Sequence, residues 1–142
     1  MFKDILVPID LNAPELWEKA LATAVEMARP AAARLHLMTV IPEFGLPVVG
    51  QYFPEGYEER VRDDALSRLE QVARDRIPSE LKVGLIVAQG SIWREIVREA
   101  RERQVDLVVM GSHRPGVGDY VLGANATRVA QRAPCSVLIV RN

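Results

Sequence analysis

The sequence has few of the residues that build disulfides and metal sites. Among its 142 residues there is one cysteine, Cys135, and there are two histidines. One cysteine cannot form an internal disulfide, and two histidines beside it make no ordinary zinc site. This length and cysteine usage predict a single domain, residues 1–142, in a reducing compartment, and we expect the cytoplasm.

The sequence also lacks an excess of either charge and any long apolar run. Eighteen Lys and Arg balance nineteen Asp and Glu, which leaves a formal net charge of −1. Such a chain has no overall field to hold a polyanion, so nucleic-acid binding is not expected. No stretch approaches the ~18 apolar residues of a membrane span, and the start leads directly into a strand pattern, so neither membrane insertion nor a signal peptide is expected.

Short apolar segments alternate with amphipathic ones along the whole chain. Apolar residues on both parities are typical of strands covered on both faces. Helical spacing follows each of the first four segments, and this alternation predicts an α/β fold with a parallel sheet. The predicted strands are Asp4–Ile9, Leu35–Ile41, Leu81–Val87, Val105–Met110 and Cys135–Val140.

Local signals bound the first predicted helix. Asn12 is expected to accept a free N–H at the helix start, and Pro14 fits the first turn. Pro30 is expected to stop the helix after about Arg29.

In open parallel sheets, ligands bind beyond the carboxyl ends of the strands, where the strand order reverses. This rule directs attention to Pro8–Leu11, to Thr39–Ile41 and above all to Gly111–Ala126, which contains four glycines. Glycines let the backbone approach a ligand, and free N–H groups at the next helix start favour an anion. The segment therefore predicts phosphate binding, with the alternative that its glycines only let a loop turn.

Among the other candidate residues, Asp10 has two interpretations. Asp10 could accept a hydrogen bond from a ribose hydroxyl or could cap the following helix. His36 is interpreted as a satisfied or half-exposed strand residue, and Cys135 as a small buried one. Trp17 and Trp93 are expected to be packing residues.

No catalytic set emerges from the sequence. The Walker spacing GxxxxGK[ST] is absent, and the residues after the first strand contain no glycine for a G-x-G-x-x-G fingerprint. The residues alone therefore predict no enzyme.

Three separated motifs resemble the universal stress protein family: ILVPID, DLVVMGSHRPG and LGANATRVAQRAPCSVLIVR. The resemblance extends from Phe2 to Arg141 and is strongest to the F-type subgroup of small bacterial members. It implies a Rossmann-like sheet of the adenine nucleotide alpha hydrolase type, with strand order 3-2-1-4-5 and helices on both faces. It also implies a homodimer, for which we predict pairing through residues 135–140.

The family's ATP signature is Gly, two residues, Gly, nine residues, Gly, then Ser or Thr. Here Gly111 fits, but Arg114 stands at the second glycine, eight residues separate it from Gly123, and Ala124 replaces the hydroxyl. The resemblance implies that Pro8 and Ile9 line the adenine slot and that Val40 meets adenine through its backbone. It implies a ribose contact for Asp10 and phosphate contacts for the segment after the fourth strand. The complete predicted nucleotide site is Pro8, Ile9, Asp10, Val40, Met110, Gly111, Ser112, His113, Arg114, Gly116, Gly123, Ala124, Asn125 and Ala126.

The resemblance thus implies a regulatory protein that binds ATP, AMP or ADP, with any Mg²⁺ held mainly by phosphate oxygens. Its output would be a change of conformation or binding to a regulatory protein partner. The alternative is a dimeric adaptor of the subclass that binds no nucleotide.

Overall fold

The computed structural model describes residues 1–41, 55–112 and 122–141. The helices in these ranges are α1 (Glu18–Ala31), α2 (Tyr57–Arg76), α3 (Ile92–Glu102) and α4 (Ala124–Arg132), with a short 3-10 helix at Pro14–Leu16. The strands are β1 (Asp4–Pro8), β2 (Arg34–Ile41), β3 (Val83–Gln89), β4 (Leu107–Gly111) and β5 (Ser136–Val140). None of the helices in these ranges is long and apolar enough to cross a membrane.

All five strands form one parallel sheet in the order β3-β2-β1-β4-β5. Apolar side chains that alternate along β1 enter two separate cores, with Ile5 and Val7 on one face and Leu6 on the other. The first core is covered by α1 and α2, and the second by α3 and α4. The predicted α/β architecture and strand order are confirmed.

The sheet opens between β1 and β4 because of Pro8. The backbone of Asp4 faces β4, since its carbonyl accepts the Asp106 N–H at 3.0 Å, and alternation makes Pro8 face the same way. Proline has no N–H to donate, so it cannot extend the hydrogen-bond ladder. The β1–β4 pairing accordingly covers only Ile5 and Leu6, whereas β1 pairs with β2 over five residues. The opening lies at the point where the strand order reverses.

Two carboxylates make hydrogen bonds at the amino ends of the strands, which is the end of the sheet opposite the opening. Asp106 accepts the backbone N–H groups of Lys3 and Asp4 at 2.9 and 3.0 Å. The Asp4 carboxylate in turn lies 3.0 Å from Nε2 of His36, which is 6% exposed. The interpretation of His36 as a strand residue with its hydrogen-bonding groups satisfied therefore holds for Nε2. Its Nδ1 has no hydrogen-bond partner in the described part of the chain.

Of the three signals for the first helix, Pro14 does begin a helical turn, which is the separate 3-10 helix, but Asn12 and Pro30 were misjudged. Asn12 does not cap α1, whose N-cap residue is Trp17 and which has no side-chain cap. The 3-10 turn intervenes, and Oδ1 of Asn12 instead accepts a hydrogen bond from Arg68 at 3.1 Å. Pro30 lies inside α1, which continues to Ala31 and ends at Ala32 in the left-handed region, with φ of 48°. A proline in the last turn is tolerated here, since the helix closes through the N–H groups of the following residues, which bond to Ala28 and Arg29.

The third strand begins two residues later than predicted. Leu81 is buried but belongs to a turn, in which its N–H bonds to the Pro78 carbonyl. Its apolar character therefore reflects packing into the core and not membership of β3.

Candidate functional site

A cavity of about 730 Å³ lies at the carboxyl ends of β2, β1 and β4. Its volume is within the range of roughly 300–1,000 Å³ that is usual for small-molecule sites. The ends of these three strands form its floor, and residues of α2, α3 and the start of α4 contribute to its walls. The cavity therefore occupies the position that the strand order predicts for a ligand.

At the β2 end, the backbone of Val40 has hydrogen-bonding groups with no partner on the β1 side among the described residues. The Met38 carbonyl accepts the Ile9 N–H at 2.7 Å, so Met38 faces β1, and Ile41 faces β3 because its carbonyl accepts the Gly90 N–H. Val40 alternates with these residues and faces the β1 side, beyond the last bond of that ladder. No residue in the described ranges pairs with its N–H or C=O on that side. Val40 thus offers one donor and one acceptor next to the cavity.

At the β1 end, Asp10 stabilises a turn. Its Oδ1 accepts the N–H of Asn12 at 3.0 Å, and its carbonyl accepts the indole N–H of Trp17 at 2.7 Å. The Asp10 side chain is exposed and lines the cavity. Because α1 starts only at Glu18, Asp10 does not cap that helix, and the capping alternative is wrong in this form.

Arg68 of α2, which is not one of the predicted site residues, donates hydrogen bonds to the same turn. Its Nη2 donates to the Leu11 carbonyl at 2.9 Å and to Oδ1 of Asn12 at 3.1 Å, and the side chain lines the cavity. No sequence signal marks Arg68 as a site residue, because one arginine on a charged helix looks like a solvated residue. Trp17 and Asp64 also line the cavity without having been predicted to bind a ligand, whereas Thr39 belongs to the strand end to which the strand order pointed.

At the end of β4, the backbone of Gly111 lies close to another part of the protein and not, as the sequence suggested, to a ligand. A Cβ atom on Gly111 would overlap the carbonyl oxygen of Leu16 in the 3-10 helix. The glycine is thus needed for packing of the strand end against this turn. The next residue, Ser112, is buried, and its carbonyl accepts the Gly123 N–H at 2.8 Å, which joins the end of β4 to the start of α4.

The N-terminus of α4 lies at the cavity without a side-chain cap. Gly123 is its N-cap residue, with φ of −59°, so no left-handed conformation requires glycine there. The N–H groups of the first helical turn have no partner within the helix, and the helix dipole gives this end a partial positive charge. Residues 124–126 line the cavity, which therefore has an anion-favouring end.

Eleven of the fourteen predicted site residues line this one cavity. They are Pro8, Ile9, Asp10, Val40, Met110, Gly111, Ser112, Gly123, Ala124, Asn125 and Ala126. The other three, His113, Arg114 and Gly116, lie outside the described residues. The structure thus brings the described candidates together, and their contacts with a ligand stay a prediction.

Neither a metal centre nor a reactive thiol accompanies the cavity in the described ranges. No group of three or more His, Cys, Asp or Glu side chains there could hold a metal ion. Cys135 is half-buried, and burial, followed by the nearby Asp106 charge, raises the pKa of its thiol. A raised pKa lowers the thiolate fraction at neutral pH, which agrees with a packing role.

The fold and the cavity define a Rossmann-like α/β domain with a small-molecule cavity at its switch point. The model of the universal stress protein family matches residues 1–141, and the chain belongs to that family. It is 31% identical to universal stress protein YxiE of Bacillus subtilis over 150 residues, which cover 99% of this chain and all of the relative.

Solved structures agree with this assignment. The structure of the hypothetical protein MJ0577 is 26% identical, with a TM-score of 0.83, and the match covers 100% of this chain and 97% of the other. A universal stress protein in complex with cAMP shares the fold at 21% identity and a TM-score of 0.62, with 99% and 97% coverage. These comparisons do not distinguish the F-type subgroup, which stays a prediction.

Proposed function

We propose that this universal stress protein binds an adenine nucleotide, ATP before AMP or ADP, in the cavity at the carboxyl ends of β2, β1 and β4. The observation that carries the proposal is that the two ends of the cavity differ in chemistry. Among the described residues, one end has the backbone groups of Val40 that no strand pairs, and the other has the start of α4 without a side-chain cap. A nucleotide also has two different ends, because its base is neutral and forms hydrogen bonds, whereas its phosphates are anionic.

The distance between the two ends also suits a nucleotide. Hydrogen-bonded neighbouring strands lie about 4.8 Å apart, so the ends of β2 and β4, with β1 between them and the sheet open beside Pro8, are at least about 10 Å apart. A base bound at β2 would place its ribose over the end of β1 and its phosphates at β4.

Each part of the nucleotide then has protein groups to meet it. The N–H and C=O of Val40 bind the adenine edge, while Pro8, Ile9 and Met110 supply apolar contacts. The second carboxylate oxygen of Asp10 accepts a hydrogen bond from a ribose hydroxyl. The phosphates lie at the N–H groups of residues 124–126, and Mg²⁺, if bound, is held by phosphate oxygens.

The cAMP complex supports this proposal, because that protein of the same fold holds an adenine nucleotide. We assign this chain a regulatory role in the cytoplasm, with its output through conformation or a regulatory protein partner. We assign no catalytic residue and at most weak ATP hydrolysis, because the sequence contains no recognisable catalytic motif.

Mass analysis of small molecules released from freshly purified protein by heat or acid tests the proposal. We expect an adenine nucleotide at a substantial fraction of one per chain, or, if it is lost during purification, saturable ATP binding in calorimetry. Protein that releases no nucleotide and binds no ATP would belong to the alternative class of nucleotide-free adaptors.

Asp10 variants separate binding from folding. Asp10→Asn keeps an oxygen for the Asn12 N–H and removes the charge, so we expect little change in stability and a three- to tenfold loss of ATP affinity, about 0.6–1.4 kcal/mol. Asp10→Ala removes both contacts, and we expect a loss of about 1 kcal/mol in the free energy of unfolding and at least a tenfold loss of affinity. Calorimetry with wild-type affinity for both folded variants would remove Asp10 from the site.

We further propose that the chain forms a homodimer through β5. This strand ends the sheet, and its Val137, Leu138 and Ile139 are only partly buried in the single chain. An apolar edge of this kind is an aggregation hazard, and antiparallel pairing with a second copy about a two-fold axis covers both edges at once.

Light scattering should therefore give twice the 15.8 kDa mass of one chain. Leu138→Pro removes a backbone donor from this strand, and we expect it to lower the mass or the solubility. A wild-type mass near that of one chain at tens of micromolar would overturn the dimer.

A further inference from the structure

Three guanidinium groups surround the indole ring of Trp93. The guanidinium carbon of Arg94 lies 5.1 Å from the ring centroid, that of Arg128 5.5 Å and that of Arg132 6.0 Å. All three are within the distance at which cation–π attraction acts. We call these four residues the Trp93 cluster.

The packing of α3 against α4 creates this cluster. Arg94 adjoins Trp93 on α3, whereas Arg128 and Arg132 are one turn apart on α4 and so share one helix face. Trp93 is partly buried against the core that both helices cover, which fixes the ring between them. Because each guanidinium carbon is within 6.0 Å of the same centroid, no two of them are more than about 12 Å apart.

The three charges have no neutralising carboxylate in the described part of the chain. None of these arginines forms an ion pair there, and α4 contains no Asp or Glu. The glutamates of α3 are engaged by other arginines. Glu95 and Glu102 pair with Arg98, and Glu99 pairs with Arg98 and Arg103, at nitrogen–oxygen distances of 2.6–3.2 Å. A local charge of +3 therefore remains on a chain whose net charge is −1.

We propose that the Trp93 cluster binds a short acidic segment of a partner protein, with two or three closely spaced carboxylates. A guanidinium fork binds a carboxylate with two parallel hydrogen bonds, and stacking on the indole presents the forks in restricted orientations. Three forks within about 12 Å match successive acidic side chains of one peptide.

A long nucleic acid fits this surface less well. On the other flank of α3, Arg98 and Arg103 are already paired with glutamates of the same helix, so they add no excess positive charge for a polyanion that extended from the cluster along it. The whole chain also lacks the positive field that nucleic-acid binding requires.

The surface is separate from the nucleotide cavity, since none of its four residues lines that cavity. The inference therefore stands independently of the proposed ATP binding.

Titration of the full chain with fluorescein-labelled hexaglutamate at low ionic strength tests the inference. The double variant Arg128→Gln/Arg132→Gln is compared with Lys19→Gln/Arg60→Gln, which removes two exposed cations from α1 and α2 and so changes the net charge equally. By fluorescence anisotropy we expect at least a tenfold loss of affinity in the first variant and less than twofold in the second. Tryptophan emission should respond to the peptide in the wild type and not in Trp93→Phe.

Circular dichroism melts show that each variant is folded before binding is compared. Equal affinities of the two double variants would overturn the inference, as would a wild type that does not bind the peptide at low ionic strength. Tighter binding of a single-stranded DNA of the same charge would also overturn it, because the surface would then select a nucleic acid.

Discussion

Replacing Gly111 with alanine should lower the free energy of unfolding by about 3 kcal/mol, at the upper end of the usual cost of overpacking. The added Cβ would overlap the Leu16 carbonyl oxygen, and a backbone atom cannot rotate away as a flexible side chain can. The 3-10 helix would have to move away from β4, and with it Trp17, whose indole holds the Asp10 carbonyl. Urea denaturation of the full chain measures the loss, and ATP titration should show weaker binding.

Gly123→Ala is the matched control, since it adds the same methyl group at the other end of the same segment. The backbone of Gly123 has φ of −59°, which alanine adopts without strain, so the expected loss is below about 1 kcal/mol from poorer helix capping. Equal losses in the two variants would mean that the contact with Leu16 does not limit the packing of this strand end.

These two glycines illustrate what the sequence could predict. Their position between a strand and a helix pointed correctly to the cavity. The sequence suggested backbone approach to a ligand, whereas Gly111 approaches Leu16, a residue 95 positions earlier in the chain. Local patterns contain no information about such a contact, because it arises only when the sheet assembles.

The fold itself was accessible because its signals are local. Apolar runs and helical spacing follow from burial of each element, and the family resemblance supplied the strand order. The errors fell at element ends. Pro30 was misjudged because the closing hydrogen bonds of the last turn tolerate it, and Asn12 because a contact distant in sequence decides the outcome. The hydrogen bond from Arg68 to Asn12, for example, joins residues 56 positions apart.

The site was predictable where it depends on side-chain identity and less so where it depends on backbone direction. Asp10 and Gly123 stand out in the sequence, whereas the strand-order rule marked only the range Thr39–Ile41, and the backbone role of Val40 came from the family resemblance. Within the described ranges the N–H and C=O of Val40 have no partner on the β1 side because β1 ends at Pro8 and the last bond of the β1–β2 ladder joins Ile9 to Met38, and this is visible only in the register of the strands.

Gly123→Asp should change stability and ATP affinity in opposite directions. Aspartate is a preferred N-cap residue, and its charge suits the positive end of α4, so we expect the free energy of unfolding to rise by up to about 1 kcal/mol. The same carboxylate would occupy the N–H groups proposed for phosphate and would repel it. Repulsion of about 3 kcal/mol, for unit charges about 5 Å apart at an effective dielectric constant of about 20, corresponds to a loss of affinity of a hundredfold or more.

Two comparisons make this test specific for the phosphate end. Gly123→Ser supplies a neutral cap, so it should stabilise α4 similarly and reduce ATP affinity much less than aspartate does. Adenosine has no phosphate, and because its base and ribose are assigned to Val40 and Asp10, its affinity should be almost the same in all three proteins. If Gly123→Asp weakened adenosine and ATP equally, the loss would come from a change of cavity shape. If it bound ATP as well as the wild type while folded, the phosphates could not lie at the start of α4.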